Sequence, residues 1–121
     1  MTKKLYQWDG TPIQDETLAA AWETGEKVGI MRFGETHCFF RKKWRIYAIA
    51  YGAIDHAFER VREVKSSVCC GPMRLSMVSA VLCGGGKELV EIQFEAEEQV
   101  ERVLALLAER CHGIRIGLYA S

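Results

Sequence analysis

Residues 96–111 form the clearest helical run in this 121-residue chain, and that run is amphipathic. Val100, Val103, Leu104, Leu107 and Cys111 recur at helical spacing, whereas Glu97, Glu101, Arg102 and Glu109 fall largely off the stripe. Glu95, Glu97 and Glu98 crowd the positive end of the helix dipole, and Arg110 sits at the negative end. Gly113 is placed to end the helix. A helix with one apolar stripe has to bury it against another layer. Most of the remaining chain offers strands for that purpose.

The plainest hairpin joins residues 75–82 to 88–94. Val90, Ile92 and Phe94 alternate with Glu91 and Gln93, and Gly84-Gly85-Gly86-Lys87 supplies the positive φ angles of a tight turn. Residues 38–41 and 44–51 read as a second hairpin, rich in aromatic and β-branched side chains. In its second arm Arg45, Tyr47, Ile49 and Tyr51 share one face, and Trp44, Ile46, Ala48 and Ala50 the other. Residues 28–33 read as one strand, followed by a turn at Gly34-Glu-Thr. Residues 54–65 fit two templates. Ile54, Ala57, Phe58, Val61 and Val64 have helical spacing, yet Phe58 and Val64 with the stems of Arg60 and Arg62 also alternate as in a strand. Residues 66–74, with Ser-Ser and Cys-Cys-Gly-Pro, have no period and read as a loop. Ile114, Ile116 and Leu118 alternate as a last short strand or an extended tail. Near the start, Asp15 caps a short helix through Leu18 and Trp22, with Gly25 as a left-handed stop. The domain division that follows is an N-terminal extension over 1–27 and a main domain over 28–121.

Composition narrows the function classes. Half the residues are hydrophobic (49%) and 26% are charged, close to globular averages. Sixteen basic residues balance sixteen acidic ones, which removes a global pull toward nucleic acid. The odd count of five cysteines fits a reduced compartment better than a disulfide framework. No run approaches the ~18 apolar residues of a membrane span, and no signal peptide is evident, so the expectation is a cytoplasmic, non-transmembrane protein.

Antiparallel hairpins followed by one helix make an α+β arrangement. The chain resembles a bacterial pleckstrin-homology-like (PH-like) domain over residues 28–113. The resemblance rests on the hairpin CFFRKKWRIYAIAY with the following Gly-Ala-Ile-Asp, the hairpin LSMVSAVLCGGGKELVEIQF, and the helix EEQVERVLALLAERC. Tyr47-Ala-Ile-Ala-Tyr-Gly-Ala-Ile54 looks like the segment that leads into the next strand in that family, with Ala50 at the place of a proline. The resemblance implies a bent antiparallel β-barrel plugged by the C-terminal helix and a strand over 54–65; the short N-terminal helix, read from its own residues, is expected as an appendage packed on the main domain. Lipid-binding members carry a Lys/Arg pattern in their first turn, and Gly34-Glu-Thr-His37 lacks it.

Candidate chemistry is sparse. Arg41, Lys42, Lys43 and Arg45 cluster at the expected hairpin tip around Trp44, a combination suited to anionic headgroups or phosphates. Arg60, Arg62, Lys65 and Arg74 extend the patch if the sheet brings them near, against the plainer reading of a solvated turn. Three adjacent pairs, His37-Cys38, Cys69-Cys70 and Cys111-His112, are of metal-ligand type, but neighbours diverge in an extended chain and buried thiols account for them better. Asp55-His56 likewise point to opposite faces of a strand, as surface or edge residues. With no catalytic motif, no cofactor and no metal expected, the leading reading is a non-enzymatic binding or assembly module. Its partner is a protein or a second copy, met through an open sheet edge. The alternative is a peripheral anionic-lipid or phosphate binder through Arg41, Lys42, Lys43, Trp44 and Arg45.

Overall fold

The computed structural model describes residues 4–68 and 71–117, with 63–68 and 71–76 described by their backbone alone. Its centre is a three-element meander in which β4 (Met31–Phe33), β5 (His37–Lys42) and β6 (Arg45–Ala50) pair antiparallel. Alternation splits each strand between two environments. Cys38, Phe40 and Ile49 face one core, and Phe39, Ile46 and Ala48 face another. Both faces of this sheet are therefore covered.

The second face is covered by α1 (Glu16–Thr24), which buries Leu18 and Trp22 against Phe39, Ile46 and Ala48. Asp15 caps α1 as its sequence implies, accepting hydrogen bonds from the Thr17 and Leu18 amides at 2.9 and 3.3 Å. Arg32 fixes the helix from β4. Its guanidinium lies 3.8 Å from the Trp22 ring centroid and donates to the Trp22 carbonyl at 2.8 Å. Gly25 follows α1 in extended backbone, φ −64°, so it is not the left-handed stop that was expected. Its small size is what matters. A Cβ there would lie 3.1–3.2 Å from the Ala21 carbonyl and β4.

The N-terminal residues are part of this sheet and not an appendage. β1 (Leu5–Gln7) pairs parallel with β6, and β2 (Pro12–Ile13) pairs with β1. At the opposite edge, β3 (Glu26–Val28) pairs with β4 across a two-residue turn at Gly29-Ile30. The expected single strand over 28–33 is thus a tight hairpin, made possible by Gly29 with φ 58°. The six-stranded order is β2-β1-β6-β5-β4-β3.

After β6 a single 3-10 turn, Tyr51–Ala53, carries the chain into a second sheet. There β7 (His56–Val68), β8 (Gly71–Gly84) and β9 (Lys87–Phe94) form an antiparallel meander, and β10 (Arg115–Ile116) adds parallel to β7. Strand wins over helix for 54–65 because Ala57 joins the core while Phe58 packs on Val81 and Cys83 on the other face. The expected loop over 66–74 is also corrected. Pairing of β7 with β8 continues to Val68 and Gly71, since main-chain bonds need no side-chain period. Cys69 and Cys70 lie outside the described residues. Gly85 and Gly86, φ 62° and 79°, make the expected turn into β9.

α2 (Glu97–Arg110) packs on β7 and β8 and also reaches β3. It buries Val100, Val103, Leu106 and Leu107 in a core shared by both sheets. The bent PH-like barrel does not form. Among the described residues two open sheets and two α-helices stand in its place, because β1 occupies the edge of β6 and the 3-10 turn separates β6 from β7. No described helix is long and apolar enough to cross a membrane.

Candidate functional site

Two surfaces concentrate the exposed chemistry. The first is the turn of the β5–β6 hairpin. Lys42 pairs with Arg45, leaving Lys43 and Trp44 as a two-residue loop. Arg41, Lys42, Lys43, Trp44 and Arg45 therefore come together at one tip, all exposed. Trp44 is 89% accessible, far beyond what a large apolar ring shows when it serves a core. Behind the tip an aromatic ladder runs across the sheet. Phe40 and Tyr47 stack at 5.1 Å between centroids, Tyr6 lies 6.1 Å from Tyr47, and the Arg45 guanidinium sits 4.6 Å over Tyr6. The sequence had no means of placing Tyr6, since the parallel pairing of β1 with β6 leaves no local mark.

The second surface is the outer edge of β9, which no described strand pairs. A hollow lies at each end of this edge. One is lined by Leu89 and Val90 of β9 with Trp8, Phe40, Lys42 and Tyr47. The other is lined by Gln93 and Phe94 with Gly29, Ile30, Glu95 and Gln99. Lys87 lies 5.8 Å from the Trp8 ring centroid, but Asp9 and Glu91 line the first hollow with Lys42, so it carries both signs, while Glu95 marks the second. Ile30 is 47% exposed there.

The remaining candidates resolve into structural roles. Arg60 and Arg62 do not add free cations to the tip. Arg60 is paired with Glu88 and, at 2.9 Å, with Glu91, and Arg62 meets Glu91 at 3.1 Å. The side chains of Lys65 and Arg74 lie outside the described detail. Cys38 and Cys111 sit in the core. Burial first, and then the neighbouring Cys111, push the Cys38 thiol far above the ordinary range, and burial pushes Cys111 up to about 11. Neither is a thiolate nucleophile near neutral pH. Asp55 accepts from the Gly85 amide at 3.2 Å, fixing the glycine turn. His56 is buried and bonds through Nε2 to the Gly117 carbonyl, so it is not the surface or edge residue expected. At the C-terminal end of α2 the Gly34 carbonyl accepts from both the Tyr51 hydroxyl and Arg110, each at 2.7 Å, locking α2 to the first sheet.

The chain matches no protein-family model, and comparisons with curated proteins and with solved structures returned no match either.

Proposed function

We propose that this protein is a non-enzymatic binding module that accepts an extended peptide segment as an added strand along β9. The observation that carries this reading is the eight-residue edge of β9, which no described strand pairs, with a hollow at each end. An unpaired edge presents main-chain donors and acceptors, and hollows beside it receive alternate side chains of the incoming strand. From Val90 to Phe94 the edge spans about 13 Å at a strand's rise per residue. The ligand is thus a short segment with apolar side chains in alternation. Its acidic end lies by Lys87, the exposed first residue of β9, and its basic end by Glu95.

The test uses a labelled octapeptide of alternating valine and threonine, with aspartate at one end and lysine at the other, and reads binding by fluorescence anisotropy. Methylating alternate backbone amides of the peptide should abolish binding in one register and spare it in the other. Lys87→Glu should weaken binding of the peptide and favour the one with its terminal charges exchanged. Binding indifferent to methylation in both registers, or no binding, overturns strand addition.

A further inference from the structure

We infer that the β5–β6 tip is a docking surface for an anionic membrane, with Trp44 as the interfacial side chain and Arg41, Lys42, Lys43 and Arg45 as the charges. Three observations on different levels support it. Charge is the first. Among the described residues none of these four cations forms an ion pair; Arg60, Arg62 and Arg102 elsewhere do and Lys27, Lys87 and Arg115 do not, so what sets the tip apart is the grouping of four on one turn. Unpaired cations grouped on one turn complement an anionic leaflet, which attracts basic groups within a Debye length of its surface.

Shape is the second. Trp44 stands at the loop with 89% of its surface open, and an indole surrounded by cations suits the headgroup layer, where its ring is half apolar and its N–H stays wet. The ladder Phe40–Tyr47–Tyr6 holds the tip from behind, with Arg45 stacked on Tyr6, so the turn is stiff before it meets a surface. Binding then orders little that was free.

Backbone is the third. Lys43 has φ 59°, the sole left-handed residue other than glycine among the described ones. A left-handed first position in a two-residue hairpin loop favours glycine. A lysine there keeps its charge at the apex in spite of the backbone, in the manner of strain held at a working site.

That third observation supplies a clean experiment. Lys43→Gly suits the turn and removes a charge, so it should hold or raise the thermal midpoint while weakening vesicle binding. Co-sedimentation is measured with phosphatidylcholine vesicles, and with vesicles containing added phosphatidylglycerol, at low and high salt. Binding is expected only with phosphatidylglycerol and should fade with salt. Lys43→Gly should weaken it about fivefold, and Lys43→Gly with Lys42→Gln about twentyfold. The tryptophan emission should shift blue on binding, and Trp44→Phe should remove most of that shift, since Trp22 is buried and Trp8 is packed against the core. Equal binding to phosphatidylcholine alone, no binding, or unchanged binding by the double variant with its fold intact would overturn the proposal.

Discussion

Leu104 and Leu106 show how much a residue's role depends on what lies beyond its own helix. Leu104 belongs to the stripe defined by Val100, Val103, Leu107 and Cys111, and helical periodicity places it in the core. In the folded protein it is only partly buried against the core, whereas Leu106, off that stripe, is 2% exposed. The reason is the second sheet neighbour. α2 packs on β7 and β8 and also on β3, where Arg102 pairs with Glu26, so its buried arc widens toward Leu106. Leu106→Ala should therefore cost about 2–5 kcal/mol, as large-to-small core changes do. Leu104→Ala should cost clearly less. Urea unfolding of the two variants decides the matter, and a larger loss for Leu104 would refute the assigned face.

At the scale of elements, what was readable depended on whether the signal was local. The Asp15 cap, the apolar stripe from Val100 to Cys111, the glycine turn and the alternation of Val90, Ile92 and Phe94 all act within a few residues, and α1, α2 and the β8–β9 hairpin follow from them. The tip Arg41–Lys42–Lys43–Trp44–Arg45 was readable for the same reason, as a short turn between two aromatic arms. The parallel partners of β6 and β7 were not, because such pairing joins distant segments with no turn to announce it. The β9 groove was missed too, since its second wall is β1's neighbour Trp8 and the Gly29-Ile30 turn. Local rules also show where an element is under-provided. The N-cap position before α2 is Ala96, whose side chain cannot cap, although Gln99 accepts from the Glu95 and Ala96 amides at 3.1 and 3.2 Å. Ala96→Ser would complete the reciprocal cap and should stabilise by about 1 kcal/mol. A thermal midpoint that does not rise would contradict this account of the helix start.

For the whole molecule, the protonated core sets an alkaline limit. Burial raises Cys38, Cys111 and Tyr51 above their ordinary values of 9.0, 9.0 and 10.0. The unfolded chain releases these protons first as pH rises, so the folded state binds more protons and loses stability in that direction. The contribution of Cys111 is complete below pH ~9 and disappears as pH passes its folded value of about 11. The urea midpoint should stay level from neutral pH to near 9 and then fall. Cys111→Val should make the fall shallower. A midpoint unchanged up to pH 11, or a variant that falls as steeply, would show that these groups do not set the limit.

The parallel contact of β1 with β6 also has a consequence in time. Leu5 is synthesised about forty residues before its partner Ile46, and Leu18 and Trp22 well before the sheet face that buries them. During translation, then, the first strand and helix wait with their apolar sides uncovered until β6 has left the ribosome. Anything that slows synthesis between α1 and β6 lengthens that wait. Yield in a cell should therefore respond to codon choice over residues 25–45 more than over the β8–β9 hairpin, whose strands meet as soon as they are made.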